Sequence, residues 1–481
     1  MAEKEVEGEE SMTFFQHRDT ENQRKAPDYI RMITVAVLVR TLKNRYYTLA
    51  ITLSVSLCLC VLQASAAEVR SLTLDQALTI AMENNRDIAR AREYANYVQG
   101  KYVEERAAAL PQLGLNGSAV FSRDDSQGAM FGGKSFRQDS RSLDVALSQP
   151  LFTWGKLSAA IRAAEVGLKT ADEQLRIYRQ AAWRDVSAAW YDVLLAREMH
   201  RLARENETQK RRHLEEARRK FALGVATDYD VLAAEVATEN AHPEVIRTEN
   251  AIRLARERLR FLLALDTDVD AVGTLDLPTA DQPVPDNFTA ALAKARDKRP
   301  ELADLRHRIG IYRELLTIAE ADNKPRLDLK GGAGWHWMSL EEPAPRRDAD
   351  GVAWNVGVYL SFPFFDGFRS SGKATQARSD LATKRIEESR LLDSISLEVR
   401  DAIYALREAA EIHQAVSGTV RQAERLLHMA EKGYEYGVKT RLEVDDAQLN
   451  LLQANSSLAR ARHDYRVARV NYQWAMGVAG E

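Results

Sequence analysis

Arg326-Leu327-Asp328-Leu329-Lys330-Gly331-Gly332-Ala333-Gly334-Trp335-His336-Trp337 alternates apolar or small residues with a second, more polar set. A second run, Trp354-Asn355-Val356-Gly357-Val358-Tyr359-Leu360-Ser361-Phe362, keeps the same period of two. Successive side chains of a strand point to opposite faces, so both stretches read as strands with one apolar face. About ten residues is also the length of a strand that crosses a membrane within a barrel. A half-buried strand of a water-soluble sheet alternates in the same way, so the period alone leaves both readings open. Earlier in the chain Leu143, Val145 and Leu147 alternate with Asp144, Ala146 and Ser148, and 113–121 alternates more loosely.

These two strand pairs belong to a duplication. A shift of 214 places Ala77-Leu78 on Ala291-Leu292, Pro111 on Pro325 and Leu113, Leu115, Gly117 and Ala119 on Leu327, Leu329, Gly331 and Ala333. A shift of 213 places Pro150-Leu151-Phe152 on Pro363-Phe364-Phe365. It also places Phe221, Gly224, Thr227, Val231 and Ala234 on Tyr434, Gly437, Thr440, Val444 and Ala447. So long a period is one unit written twice, not a solenoid. Each unit runs short helix (Leu74–Glu83; Phe288–Lys298), longer helix (Asp87–Ala109; Glu301–Asn323), proline, two strands, then a long helical hairpin. The first repeat spans 67–266, with strands at about 112–123 and 141–149 and a hairpin at 154–265. The second spans 287–481, with strands at about 326–338 and 352–362 and a hairpin at 367–476. Residues 267–286, rich in Asp, Pro and Thr, read as the linker.

The hairpins are long. Lys156 to Ala222 has no proline, and its counterpart from Arg369 onward has none before the tip. Some 65 helical residues extend roughly 100 Å. Ile161, Leu168 and Leu175 stand seven apart, as do Leu458, Tyr465 and Tyr472, which is coiled-coil spacing. The remaining fill of Ala, Arg, Glu and Gln suits a hollow helical wall better than a dense globule. Glycine breaks the hairpins at tips Leu223–Tyr229 and Glu435–Arg441.

Cys58 and Cys60, the only cysteines, lie in an uncharged run from Leu49 to Leu62, after Lys43 and Arg45 and before Ala64-Ser65-Ala66. That order is a secretory signal peptide, so residues 1–66 read as a leader cleaved after Ala66. Met1–Arg31 is polar and long for an n-region, which points to a start at Met32. Export, with Trp335, Trp337 and Trp354 grouped at one strand end and Phe152, Trp154, Phe362, Phe364 and Phe365 at the other, favours the barrel reading. Aromatic girdles mark the two interfaces of an outer-membrane barrel. Four strands cannot close a barrel, and open sheet edges are prohibitive in lipid, so several chains must share one.

Other chemistries fare poorly. Lys+Arg 67 against Asp+Glu 70 gives a net charge of −3, which disfavours nucleic-acid partners. Gly128 to Ser135 matches GxxxxGK[ST], but a phosphate loop needs a helix after it, and Ser142–Gln149 has strand periodicity. The nine histidines form no paired metal-ligand spacing, and no catalytic constellation or cofactor site emerges, so no enzyme is expected.

The twin tags before the long helices, Gln149-Pro-Leu-Phe-Thr-Trp-Gly and Phe362-Pro-Phe-Phe-Asp-Gly, together with the two tip motifs and the chain end Asn471-Tyr-Gln-Trp-Ala-Met-Gly, resemble the TolC family of outer-membrane efflux and secretion ducts. The resemblance spans nearly all of 68–481. It implies a mainly α homotrimer with a transmembrane β part: a 12-stranded barrel, four strands per chain, continued by a periplasmic coiled-coil barrel. It further implies gate links among Asp230, Tyr434 and Lys439, an acidic entrance ring at Glu443 and Asp446, and adaptor-docking tips at Gly224, Val225, Thr227, Gly437, Val438 and Thr440. Trp335, Trp337, Trp354, Phe152, Trp154, Phe362 and Phe365 would meet the membrane interfaces. The implied partners are further copies of the chain, outer-membrane lipid, a periplasmic adaptor and an inner-membrane pump of the RND, ABC or MFS type, with no cofactor. The alternative is a periplasmic coiled-coil tether without a pore, which should lack lipid-facing strands.

Overall fold

The computed structural model describes residues 70–124, 126, 136–276, 287–342 and 347–480. The leader, the phosphate-loop match and residues 277–286 of the linker lie outside them. The first unit holds β1 (Arg70–Leu72), α1 (Leu74–Asn84), α2 (Arg86–Ala107), β2 (Gln112–Asp124), β3 (Phe136–Phe152), α3 (Lys156–Ala222), α4 (Asp228–Leu263) and β4 (Val269–Ala271). The second holds α5 (Phe288–Lys298), α6 (Pro300–Glu320), β5 (Arg326–Glu342), β6 (Arg347–Ser361), α7 (Arg369–Glu435) and α8 (Arg441–Ala475).

The duplication is as visible in the coordinates as in the sequence. Helices α3 and α7 are each 67 residues long, and α4 and α8 are 36 and 35. Short helices begin where caps are available: Thr73 forms a capping box with Gln76, and Asn85 accepts from the Asp87 and Ile88 amides. Helix α6 has Pro300 at its first turn, where the missing N–H costs nothing.

Strands β2-β3-β5-β6 form one antiparallel sheet in that order. They outrun the expected ends, β3 by several residues on each side and β5 to Glu342. The periodicity in those extensions is obscured by charge (Arg137, Asp139, Arg141) and, at the other end, by Pro150, which sits at a register shift before Phe152.

The core is gathered at two nodes partway along the long helices. At the first, α1, α3 and the C-terminal turns of α4 bury Val186, Trp190, Val193, Leu259 and Leu263. At the second, α5, α7 and α8 bury Ile395, Val399, Ile403, Tyr465 and Tyr472. Toward the tips the buried clusters are smaller and rich in alanine, such as Ala423 with Ala454 and Ala430 with Ala447. The first node is stapled by a feature the sequence reading missed: β4, expected to be linker, pairs in parallel with β1. Trp190 Nε1 donates to the Leu72 carbonyl at 3.1 Å, and Asp270 receives Arg197 and Arg256. Three-residue strands carry no legible period, so this clip had no signal beyond Val269 and Ala271 being apolar.

Candidate functional site: a two-faced sheet and a pair of helix tips

The register of the sheet brings its apolar positions onto one side. Leu115, Val145, Ala333 and Trp354 form one cross-strand row; Gly117, Leu143, Trp335 and Val352 form the next; Leu113, Leu147, Gly331 and Val356 form the row on the other side. From Leu327 to Trp335 this band extends roughly 27 Å along the strand, or about 21 Å once tilted as barrel strands are. Most of its large side chains, Leu113, Leu115, Leu143, Val145, Trp335, Val352, Trp354 and Val356 among them, are exposed among the described residues. The opposite side is polar and small: Ser118 and Ser142 share a hydrogen bond of 3.0 Å, and His336 Nε2 lies 3.0 Å from Asp144. Gly334 is required beside this pair, because a Cβ there would collide with the Asp144 carboxylate and the Leu143 carbonyl.

The tryptophans do not sit at a strand end. Trp335 and Trp337 lie mid-strand in β5 and Trp354 mid-strand in β6; they mark the far end of the apolar band, beyond which the strands continue with polar residues. Trp337 is partly screened by Arg141, whose guanidinium lies 4.8 Å from its ring. At the near end each strand turns into its long helix through two consecutive left-handed residues, Trp154-Gly155 (φ 51° and 83°) and Gly367-Phe368 (φ 66° and 68°). Bulky residues seldom adopt that conformation. Here each packs edge-on against a neighbouring aromatic, Trp154 on Phe152 at 5.2 Å and Phe368 on Phe365 at 5.8 Å. Phe362 and Phe365 are exposed beside them. Phe368 was missed in the sequence; its only signal is its place after Gly367 in the second tag.

Both hairpin tips are built alike. Gly224 and Gly437 take φ 73° and 72°, and the Val225 and Val438 amides reach back to Lys220 and Gly433 carbonyls at 2.9 Å each. That is the Schellman closure that glycine permits. Thr227 and Thr440 then cap the returning helices in capping boxes with Asp230 and Glu443. Asp230 accepts from the Thr227 amide at 2.8 Å, which holds its carboxyl below the usual range. Glu443 is held down to about 2 by Lys439 first and the Thr440 amide second.

Within the chain, then, Asp230 is committed to Thr227, Lys439 to Glu443, and Tyr434 to Lys220, whose Nζ lies 3.3 Å from the phenol oxygen. The three expected gate partners are not joined to one another inside one chain. Of the acidic residues near the second tip, Glu443 is compensated by Lys439, and Asp445 pairs with Lys210 at 3.1 Å and Arg441 at 3.3 Å. Asp446 is exposed and has no partner among the described residues. The apolar tip residues Leu223, Val225, Tyr229, Tyr436 and Val438 are all exposed.

The outer membrane efflux protein family model matches residues 77–265 and 291–478, one stretch for each repeat. The chain belongs to this family. Among characterised proteins it is similar to the outer membrane protein TolC of Vibrio cholerae, 23% identical over 380 residues, covering 78% of this chain and 84% of that one. It is also similar to the alkaline protease secretion protein AprF of Pseudomonas aeruginosa, 28% identical over 353 residues and 71% of each chain. Among solved structures, the CmeC outer membrane channel of Campylobacter jejuni superposes with a TM-score of 0.73 at 17% identity, over 84% of this chain and 86% of that one. Among the described residues no helix is long and apolar enough to cross a membrane, and no group of three or more His, Cys, Asp or Glu is placed to hold a metal ion.

Proposed function

We propose that this outer-membrane protein is the exit duct of an export system, passing cargo from the periplasm to the exterior through a tunnel made by three copies. The observation that carries the reading is the four-stranded sheet. It has one continuous apolar face close in height to the apolar band of about 25 Å on an outer-membrane barrel, and two open edges, β2 and β6. Open edges are intolerable in lipid, so copies must pair edge to edge until the sheet closes, and three copies give twelve strands. The long helices then continue the barrel as a periplasmic wall, each repeat forming one structural half of the chain.

In such a ring the committed partners at the tips acquire a second role. Asp230, Tyr434 and Lys439 would close the entrance by contacts between hairpins of neighbouring copies. Asp446, repeated by symmetry, would supply the uncompensated negative charge of the entrance, with Glu443 largely spent on Lys439 and its helix N-terminus. The exposed tip residues from Gly224 to Thr227 and Gly437 to Thr440 are the surface on which a periplasmic adaptor would dock, and a pump in the inner membrane would supply the energy. The duct itself performs no chemistry.

The reading is tested by recording the purified protein in planar lipid bilayers. Small-conductance events from a trimer that migrates anomalously unless heated are expected, and Asp230→Ala should enlarge them. A protein that stays monomeric and never conducts would sink the proposal.

A further inference from the structure

Between the second node and the tip, α7 and α8 meet through small residues, Ala423 against Ala454. They leave a groove of about 620 Å³ along the hairpin. None of its lining residues is charged, although charged residues make up 28% of the chain. Val416, Ala423 and Leu426 give it an apolar side on α7. Its rim is polar: Gln422, Asn450, Gln453 and Ser457 bring amides and a hydroxyl, and none of these four side chains makes a hydrogen bond among the described residues. The duplication does not dictate this character. A shift of −213 carries Ala423, Leu426 and Ser457 onto Lys210, His213 and Glu244 of the first hairpin, where Lys210 reaches out to Asp445 at 3.1 Å.

The helix period says which way the groove opens. On α7, Val399 is buried in the cluster that holds Ala291 and Ala295 of α5. Leu426 follows it by 27 residues, or about seven and a half turns. On α8, Ala459 lines the recess beside Gly273 to Asp276, just after β4. Asn450 precedes it by nine residues, or about two and a half turns. The odd half turn places the groove, on both helices, opposite the short helices and the clip. In a ring of copies those short elements belong outside, since inside they would fill the passage, so the groove faces the passage. We infer that it is a binding site for cargo in transit, and that the cargo it takes is a neutral molecule of drug size with an apolar body and hydrogen-bonding groups along one edge. The inference rests on the duct reading above and gives it a cargo class.

Charge complementarity selects that class. A charged group drawn into an uncharged groove gives up water and gains no counter-charge. A wholly apolar molecule would strip water from the four free polar side chains and leave them without partners, which is costly in turn. A neutral molecule whose amides or hydroxyls run along one edge meets both demands: its body lies on Val416, Ala423 and Leu426, and its edge on the amides of α8. The volume falls within the range of about 300–1,000 Å³ usual for small-molecule sites. The groove is open along its length, which suits brief residence, and a passage needs binding weak enough for its cargo to leave.

The test is a saturation-transfer NMR titration of chloramphenicol, an uncharged aryl amide with hydroxyls, on the purified protein in lipid nanodiscs, with empty nanodiscs subtracted. The wild type is expected to bind it. Gln453→Glu should weaken binding about tenfold, because a carboxylate holds water in the groove. Asn240→Glu, at the matching exposed position of the first hairpin, should leave binding unchanged. No signal above the empty discs, unchanged binding in Gln453→Glu, or equal weakening in both variants would overturn the site. Equal binding of chloramphenicol succinate, the same body carrying a charge, would overturn it too. Bilayer recordings separate the two readings. A conducting trimer that fails the titrations loses the site alone, whereas a protein that passes them but stays monomeric and silent sinks the duct, and with it the groove's place in a passage.

Discussion

At the scale of single residues, the tip glycines and one histidine make sharp claims. Gly224 has φ 73° and open space around it, so a side chain there meets strain but no clash. Gly224→Val should cost about 1–2 kcal/mol, the penalty of forcing a branched residue into the left-handed region. Faster amide exchange confined to about Phe221–Asp228, with an unchanged melting temperature, is the expected readout; protection equal to wild type would refute it. His463 is subject to opposing effects: burial lowers its pKa, but Asp192 and Asp464, each 2.9 Å away, outweigh that and raise it. A raised folded pKa means the histidine stabilises the α3–α8 seam below the unfolded value and loses that contribution as pH rises through the folded one. The detergent-solubilised protein should therefore melt lower at pH 8.5 than at pH 6.5, and His463→Gln should flatten the difference. A wild-type midpoint that rises with pH would contradict it. The tip glycines were legible because helix breaking is local, whereas the capping role of Thr227 and Thr440 emerges only from the structure. Lys220 as the partner of Tyr434 was not legible either, since its residues are 214 apart and only packing brings them together.

At the scale of elements, the duplication and the alternation of the strands were readable because both are periodic, and periodicity survives without contacts. What was not readable was aperiodic. The β1–β4 clip has three residues a side, and the elbow at Phe368 depends on backbone angles that only the fold imposes. The tryptophans were legible as a group, but not their depth, because the strands run on past them in polar residues. The band gives a direct test. Val356 occupies its middle row, so Val356→Lys should destabilise the folded, lipid-inserted protein by about 2–4 kcal/mol, whereas a lysine at Asn355 on the polar side should cost little. Equal losses of heat-resistant oligomer from both would show the faces wrongly assigned. A second test concerns helix α6, which ends against the starts of both long helices: Asp322 receives Lys156 at 2.5 Å and Lys373 at 2.7 Å. Burial opposes the Asp322 charge, yet the two lysines hold its pKa below the usual range. Asp322→Asn should lower stability by about 1–2 kcal/mol, as for a hydrogen-bonded charge; an unchanged urea midpoint would argue against that clamp.

At the scale of the whole molecule, the charge at the entrance of the proposed duct would be set by few groups. With Glu443 and Asp445 compensated, Asp446 is the residue whose removal should change ion preference. Asp446→Asn should move the reversal potential under a salt gradient toward the non-selective value, while Asp445→Asn should alter it less. The opposite ranking would place the selecting charge elsewhere. The equal lengths of α3 and α7 have a further consequence. Each helix runs 67 residues from sheet to tip, and the contact between Lys220 and Tyr434, near the two ends, shows the tips to be level. In a closed ring six near-equivalent ends would thus lie in one plane, like the teeth of a crown gear. One residue inserted into a single helix would push its tooth out by about 1.5 Å and turn it by about 100°. Any evolutionary change of length must therefore be made in both halves at once, so that a gene duplication has become a constraint on the tool that made it.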